Sequence, residues 1–191
     1  MAVKLIKEHR LSNHRITVPN VTTNTNWDPP QSPWYKVNID GVVFSSLQAT
    51  SVGVVVRDHA RQVVAAMSKK LWVGLGPLEV EAKAIEEAID FAWDIGLQDV
   101  VFECDSKVLR GALTRANTPS VAIVNVISSC LLRLQNFKSV KLSHVRRQRN
   151  KLAHILVQYA KSLENFVTWI EDNPIPIQSA LAQDIMTFAS Y

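Results

Sequence analysis

Alternating apolar and polar residues predict three consecutive β-strands in the first part of the chain. The segment Lys36–Asp40 alternates residue by residue, which places one row of side chains on each face of a strand. Val52–Arg57 and Gln62–Ser68 are rich in β-branched and small apolar residues, and the short segment 58–61 between them predicts a hairpin turn. We therefore expect three antiparallel strands here.

A helical periodicity follows these strands. Residues 78–95 carry the clearest amphipathic pattern, with Pro77 suited to the start of a helix and Gly96 suited to its end. Short apolar runs, typical of buried parallel strands, then alternate with helical patterns. The predicted strands are Val100–Cys104 and Val140–His144. The predicted helices are Lys107–Arg115, Val121–Leu134 and Lys151–Leu163.

The order of these elements, βββαβααβα, predicts an α/β fold with a mixed five-stranded sheet flanked by helices. Residues 34–165 would form this domain. We expect residues 1–33 to be an N-terminal tail and linker, because prolines interrupt its end. We expect residues 166–191 to be a C-terminal extension with a short helix. Ligands of such sheets bind at the carboxyl ends of the parallel strands.

Candidate chemistry rests on four side chains. Asp40 and Asp105 each end a predicted strand, so they would face each other if their strands are neighbours. Glu81 lies in the first turn of helix 78–95, where it is either an amphipathic edge residue or a third carboxylate of the same site. His154 is either an exposed helical histidine or a cleft-lining ligand or proton carrier.

Charge permits nucleic-acid binding without requiring it, since the 191-residue chain has a formal net charge of +4. Its distribution is more informative, because the six residues 146–151 include four cations. This cluster is either a solvated segment or a phosphate-binding one, because cations at a helix start favour a compensating anion.

Composition also bears on the compartment. No apolar run reaches the roughly 18 residues that a membrane span needs. Residues 1–26 contain one acid, Glu8, and are either a plain tail or an organelle transit segment. Cys104 and Cys130 lie in apolar segments, which predicts buried thiols in a reducing environment. We expect an intracellular protein of the cytoplasm or nucleus, with an organelle as the remaining alternative.

Five motifs occur in order along the chain. They are Trp27–Pro30 with Lys36–Gly41, Val52–Asp58, Glu81–Ala84 with Ala88, Glu103–Ser106, and His144–His154. Together they resemble the type 1 ribonuclease H domain, in the plant reverse-transcriptase-like branch of the ribonuclease H-like superfamily. The resemblance covers roughly residues 27–185.

This resemblance implies a nucleic-acid-binding endonuclease that hydrolyses the RNA strand of RNA–DNA hybrids by a two-metal mechanism. Asp40, Glu81 and Asp105 match the first three metal-binding carboxylates of the family, and His154 stands in the place of the fourth. Mg²⁺ is the implied cofactor, with Mn²⁺ as an alternative. We expect a monomer with no membrane partner. The residues expected to contact nucleic acid are Gly41, Ser106, Arg146, Arg147, Arg149 and Asn150.

Two departures from the family pattern leave other functions open. Imidazole is a poor ligand for Mg²⁺, and Arg147, at the place of a loop histidine of bacterial-type enzymes, cannot transfer a proton near neutral pH. One alternative is a catalytically weakened or inactive nucleic-acid-binding module of retroelement origin. Another is a protein-interaction remnant, in which the tail Ile175–Ile177 and a helix at 179–188 dock a partner.

Overall fold

The computed structural model describes residues 27–186. Its strands are β1 (Tyr35–Phe44), β2 (Ala49–Arg57), β3 (Val63–Leu71), β4 (Asp99–Cys104), β5 (Ser139–His144) and β6 (Phe166–Ile170). Its helices are α1 (Pro77–Asp94), α2 (Lys107–Leu113), α3 (Val124–Leu134), α4 (Lys151–Tyr159) and α5 (Gln178–Met186). All six strands form one mixed sheet in the order β5-β4-β1-β2-β3-β6. The predicted α/β class with a mixed sheet is confirmed.

The strand count differs from the prediction by one. We expected five strands and an extension after residue 165, but β6 pairs antiparallel with β3, from Ala65 opposite Ile170 to Lys69 opposite Phe166. The segment alternates in exposure, as a strand at the edge of a sheet does. Residues 166–170 therefore belong to the sheet and are not part of a separate extension.

The central strand β1 fixes the position of the candidate site. It pairs antiparallel with β2 along its whole length, and parallel with β4 only from Tyr35 to Asn38. Asp40 therefore lies in the middle of β1, two residues beyond the last β1–β4 pair, and not at the end of the strand as predicted. β1 continues to Phe44 because β2 supplies its hydrogen-bonding partners there.

Helices cover both faces of the sheet. The inward stripe of α1 packs on one face together with α2 and α3, and this layer contains the larger core cluster. On the other face, Leu152 and Leu156 of α4 pack with Val55, Ile177 and Ala180. Ile177 is fully buried while Ile175 is 81% exposed, so the tail predicted to dock a partner docks partly on its own sheet. The predicted helix at 179–188 begins at Gln178, and residues 187 and 188 lie outside the described part of the chain.

The predicted linker is folded at its C-terminal end. Trp27 is 5% exposed, and its indole Nε1 donates a hydrogen bond to Glu103 Oε2 at 3.2 Å. The Arg57 guanidinium carbon lies 3.3 Å from the centre of the Trp27 ring. Asp184 Oδ2 in turn lies 3.2 Å from Arg57 NH1. The folded unit therefore begins by residue 27 and includes α5, because both flanking segments bury their side chains against the same face of the sheet.

Two smaller predictions can be assessed directly. Cys104 and Cys130 are both free and buried, as expected, and burial raises the pKa of each thiol to about 12. Among the described residues, none of the helices combines the length and the apolar composition that crossing a bilayer requires.

Gly53, in the middle of β2, controls how closely α4 approaches the sheet. A Cβ atom built at Gly53 would lie 2.3 Å from the Ala153 carbonyl oxygen and 2.8 Å from the Val157 backbone nitrogen. These are backbone atoms of a packed helix, so no side-chain rotation relieves the overlap. Only glycine permits this spacing, because glycine within a strand lets another backbone approach closely.

We predict that Gly53→Ala destabilises the protein by about 3 kcal/mol, the upper part of the range for overpacked cores, because α4 must move as a unit. Urea-induced unfolding followed by circular dichroism measures the change. Gly74→Ala is the matched control, since no atom lies within 4 Å of a Cβ built at Gly74. Equal stability of the two variants would contradict the close contact.

Candidate metal and nucleic-acid site

Asp40 and Asp105 lie where β1 and β4 separate. The last parallel pair joins Asn38 to Glu103; Asp40 comes two residues later within β1, and Asp105 comes two residues later, just after the end of β4. Side chains alternate along a strand, so Asp40 lies on the same face of the sheet as Asn38. Both aspartates lie beyond the carboxyl end of the β1–β4 pairing. Both are half-buried. The structure therefore brings them to the same edge of the sheet, as predicted.

The backbone of Asp105 is tied to the neighbouring strand β5. Val145 N–H donates to the Cys104 carbonyl oxygen at 2.9 Å, and His144 Nε2 lies 3.1 Å from the Asp105 carbonyl oxygen. His144 thus has the hydrogen-bonding role that its position at the end of a strand suggests. These contacts restrain the turn that carries the Asp105 carboxylate.

Gly41 sets the distance between Glu81 and the strand. A Cβ atom at Gly41 would lie 2.9 Å from the carbonyl oxygen of Val80, the residue before Glu81, and 3.1 Å from Ala84 Cβ. α1 can therefore lie against β1 and bring Glu81 toward Asp40. Because α1 begins at Pro77, Glu81 lies in its second turn and not in its first. Gly41 has a packing role here, and contact with nucleic acid stays a prediction.

His154 contacts Asp40 directly. Its Nδ1 lies 2.7 Å from Asp40 Oδ2, while the backbone N–H of Gly41 donates to Asp40 Oδ1 at 3.0 Å. The His154 side chain is 32% exposed and that of Asp40 is 12% exposed. His154 is therefore part of the site and lines it from the α4 side.

Asn150 ties the start of α4 to β1. It is 2% exposed, and its Nδ2 donates to the carbonyl oxygen of Ile39 at 2.7 Å. Although Asn150 immediately precedes α4, its side chain forms no capping hydrogen bond, and its contact with nucleic acid stays a prediction. The carbonyl oxygen of Ile39, next to Asp40, is its partner instead. Asn150 thus holds α4 against the strand that carries Asp40.

The basic cluster divides into exposed and buried members. Arg146 and Arg147 are exposed, so their guanidinium groups are accessible to a phosphate. The side chain of Arg149 is 11% exposed, and its NH1 lies 3.5 Å from Asp28 Oδ2. Arg149 therefore has an acidic partner in the folded chain. Of the predicted cationic contacts, Arg146 and Arg147 are the accessible ones.

Ser106 has a structural role beside the acidic residues. Its hydroxyl oxygen accepts a hydrogen bond from Leu109 N–H at 3.4 Å, which caps α2. Burial raises the pKa of Glu81, and the Ser106 side chain partly offsets that rise. Contact of Ser106 with nucleic acid stays a prediction.

Burial and mutual repulsion raise the pKa of two of the carboxylates. For Asp40, burial is the largest cause, the hydrogen bond with His154 opposes it, and the charge of Asp105 adds to it. For Glu81, burial is again the largest cause, and the charges of Asp105 and Asp40 add to it. The charges of the three carboxylates therefore interact, and the pKa values of Asp40 and Glu81 are both raised.

These shifts predict a pH-dependent gain in stability for Glu81→Gln in the absence of divalent ions. An acid whose pKa is raised by folding costs stability once the pH rises above its ordinary value, here 4.5, because the folded chain resists deprotonation. Glu81→Gln removes that cost. Thermal unfolding in EDTA should show a higher Tm for the variant at pH 7, and this advantage should shrink at pH 4. A constant difference across this range would contradict the assignment.

The donor set suits a hard divalent cation, although it is not preassembled. Carboxylate oxygens are the ligands that Mg²⁺ prefers, and the repulsion among Asp40, Glu81 and Asp105 is the kind that a bound cation relieves. Within residues 27–186, however, no three or more His, Cys, Asp or Glu side chains stand in an arrangement that could hold an ion. The residues fit a divalent metal ion by the chemistry of their donor atoms.

The family profile described as reverse transcriptase-like matches residues 38–160, which include Asp40, Glu81, Asp105 and His154. The chain belongs to the reverse transcriptase-like family. A protein of Arabidopsis thaliana named "Putative ribonuclease H protein" is 28% identical over 193 aligned residues. The alignment covers 96% of this chain and 31% of the relative, so the chain spans about a third of that protein.

Solved structures share the fold of this family member. Ribonuclease H1 of Halobacterium salinarum superposes with a TM-score of 0.63 at 22% identity, covering 67% of this chain and 97% of that one. The LC11 ribonuclease H1, isolated from compost by a metagenomic approach, gives a TM-score of 0.60 at 17% identity, covering 66% and 95%. That structure contains an RNA/DNA hybrid. The chain therefore has the ribonuclease H fold.

Sequence reasoning missed two features that shape the site. Gly53 faces Asp40 across the β1–β2 pair and permits α4 to approach. A lone glycine inside an apolar strand was the available signal. The buried contacts among Trp27, Arg57 and Glu103 were also missed, although a charged residue ending an apolar strand indicates a partner.

Proposed function

We propose that this domain binds RNA–DNA hybrids and hydrolyses their RNA strand with the help of divalent metal ions. The observation that carries the proposal is the position of Asp40 and Asp105, both just beyond the carboxyl end of the β1–β4 pairing. Burial and the charges of both aspartates raise the pKa of Glu81, which is consistent with a third acid beside them. Three acids, from a strand, a helix and a loop, share one half-buried site. Repulsion among their carboxylates lowers the stability of the fold, and such clusters of perturbed acids are typical of functional sites. The resemblance to ribonucleases H supplies the substrate class.

The proposed roles follow from the positions of the side chains. Asp40, Glu81 and Asp105 would hold Mg²⁺ or Mn²⁺. A bound pair of ions would supply an activated water and stabilise the leaving oxygen. Arg146 and Arg147, exposed before α4, would bind a backbone phosphate and so orient the strand against the acidic edge. His154 borders this edge through its contact with Asp40.

A cleavage assay on a defined hybrid tests the proposal. The substrate is a labelled RNA strand paired with DNA, incubated with the protein and with Mg²⁺ or Mn²⁺ in separate reactions. We expect internal cuts in the RNA strand with at least one of the two ions, and none in EDTA. Double-stranded DNA of the same sequence is the control substrate. Intact RNA in both metals would reject the enzymatic part of the proposal.

A second candidate function is nucleic-acid binding without catalysis. It is favoured by His154, which provides an imidazole where the family has a carboxylate, and by the exposed Arg147, which cannot transfer a proton near neutral pH but can bind a phosphate. Binding would then depend on the exposed cations and weaken with salt. Uncut hybrid that nevertheless binds would support this candidate over the first.

We predict that Arg146→Ala/Arg147→Ala weakens hybrid binding and lowers the slope of log affinity against log salt by about 1 to 2, since roughly one counterion is released per phosphate contact. The reason is that both guanidinium groups are exposed. Fluorescence anisotropy at several salt concentrations gives the slope. Lys107→Ala/Lys138→Ala is the control, because these exposed lysines lie outside the cluster. Equal slopes for both double variants would contradict a specific role for the cluster.

A further inference from the structure

We infer that His154 is a positioning residue that holds the Asp40 carboxylate and competes with a divalent ion for it. The inference rests on the proposed metal site and deepens it. It concerns the contact between His154 and Asp40, which a cation bound at Asp40 must displace or share. The imidazole stands where the family pattern has a fourth carboxylate, and its Nδ1 lies 2.7 Å from an Asp40 oxygen that a bound ion would use.

Both oxygens of Asp40 already accept hydrogen bonds. Gly41 N–H donates to Oδ1 at 3.0 Å, and the His154 ring nitrogen Nδ1 lies 2.7 Å from Oδ2. A carboxylate has further lone pairs, so a cation could still approach, but the N–H dipole of an imidazole donor places positive charge on the side of Oδ2. A cation that binds Oδ2 must therefore break or weaken this hydrogen bond.

The backbone of His154 is held close to Asp40, because the helix that carries it is fixed at two points. The backbone of α4 packs directly on Gly53, with no room for a Cβ atom between them. Asn150, immediately before α4, donates to the Ile39 carbonyl oxygen at 2.7 Å. The residue next to His154 on α4, Ala153, is fully buried. Packing on β2 and the hydrogen bond to β1 therefore hold α4 where His154 reaches Asp40.

Three roles of His154 predict different effects of His154→Ala on metal affinity. If His154 competes with the metal, the variant binds Mg²⁺ and Mn²⁺ more tightly. If His154 is itself a ligand, the variant binds more weakly, above all to Mn²⁺, which accepts imidazole better than Mg²⁺ does. If His154 is a bystander, affinity does not change. The alanine variant separates these cases because it removes the hydrogen bond without adding a ligand.

Isothermal titration calorimetry with Mg²⁺ alone and with Mn²⁺ alone, in the absence of nucleic acid, tests the inference on the full chain. We expect roughly tenfold tighter binding by His154→Ala, the size that corresponds to one hydrogen bond to a charged group that no longer has to be broken. His154→Phe keeps an aromatic ring without a ring N–H and should behave alike. His154→Asp should bind most tightly of all, since it also adds a carboxylate. His59→Ala, an exposed histidine of the β2–β3 turn, is the matched control.

Circular dichroism checks that each variant is folded. If His154→Ala disturbs the packing of α4, His154→Phe still allows metal affinity to be measured without the ring N–H. Unchanged or weaker binding by both His154→Ala and His154→Phe overturns the inference while leaving the proposed metal site intact. Absence of binding in every protein, His154→Asp included, overturns both the inference and the metal-dependent function. Tighter binding by the alanine and phenylalanine variants, with His59→Ala unchanged, supports competition by His154.

Discussion

Asp105→Asn is expected to lower hybrid cleavage by roughly 10²-fold or more, the scale on which one preorganised electrostatic group acts in an active site. Asp105 acts on both other acids of the site, because its charge adds to the effect of burial in raising the pKa of Asp40 and of Glu81. Its replacement therefore removes a candidate ligand and reduces the negative charge that attracts a cation. The initial rate of RNA-strand cutting in Mg²⁺ and in Mn²⁺ measures the effect.

The same substitution should stabilise the protein when metal is absent. Without the charge of Asp105, Asp40 and Glu81 lose one source of repulsion, so the Tm in EDTA at pH 7 should rise. Asp172→Asn, at an exposed position after β6, is the control for both measurements and should change neither. Full cleavage activity of Asp105→Asn would show that the acids at this edge are not the catalytic centre.

Arg57→Met is expected to cost about 3–5 kcal/mol of unfolding free energy, the range for removing one partner of a buried charged group. Arg57 is 1% exposed, and its NH2 donates to Asn38 Oδ1 at 2.9 Å. Its NH1 lies 3.2 Å from Asp184 Oδ2, and its guanidinium covers the Trp27 ring. Burial lowers the pKa of Arg57 to about 10, so it stays charged at neutral pH.

Urea denaturation measures this loss, and two further substitutions calibrate it. Asp184→Asn should cost at most about 1 kcal/mol, because the Asp184 side chain is 35% exposed and solvent screens the pair. Arg146→Met, at an exposed arginine, should stay within about 0.5 kcal/mol of the parent protein. A loss below about 1 kcal/mol for Arg57→Met would mean that the flanking segments hold the sheet without it.

The strength of this network explains why the flanking segments belong to the domain. Glu103 accepts hydrogen bonds from Trp27 Nε1 and from Asn38 Nδ2, and it lies 3.0 Å from Lys36 Nζ. Asn38 and Glu103 form the last β1–β4 pair, two residues before Asp40 and Asp105. Residues far apart in sequence thereby support the strand ends that carry the acidic site.

Secondary structure followed from the sequence to within a few residues in most places. The central helix was predicted at 78–95 and spans Pro77–Asp94, because its apolar stripe, proline start and glycine stop are local signals. β1 was cut short at Asp40, since Gly41 resembles a turn residue and only the pairing with β2 carries the strand to Phe44. β6 was missed because an edge strand of five residues has little local signal apart from its neighbour β3.

The candidate site was predictable in its members but not in its contacts. Asp40 and Asp105 could be placed at one edge of the sheet because parallel strands align their carboxyl ends. That Asn150 is a buried anchor, and that Arg149 faces Asp28, could not be inferred, because the sequence pattern at 146–151 is the same for an exposed and a buried orientation. Exposure of long polar side chains is settled by the surfaces that pack around them.

The amino-acid sequence by itself determined the α/β class and the order of the main elements, since periodicities of 2 and 3.6 residues are local properties of the chain. The grouping of Asp40, Glu81 and Asp105 came from the family resemblance of the motifs that contain them. The tertiary structure alone decided that His154 contacts Asp40, 114 positions away in sequence. That contact depends on how closely α4 lies on β2, which the missing side chain of Gly53 permits. Such distances arise from packing between elements, and no pattern within one element encodes them.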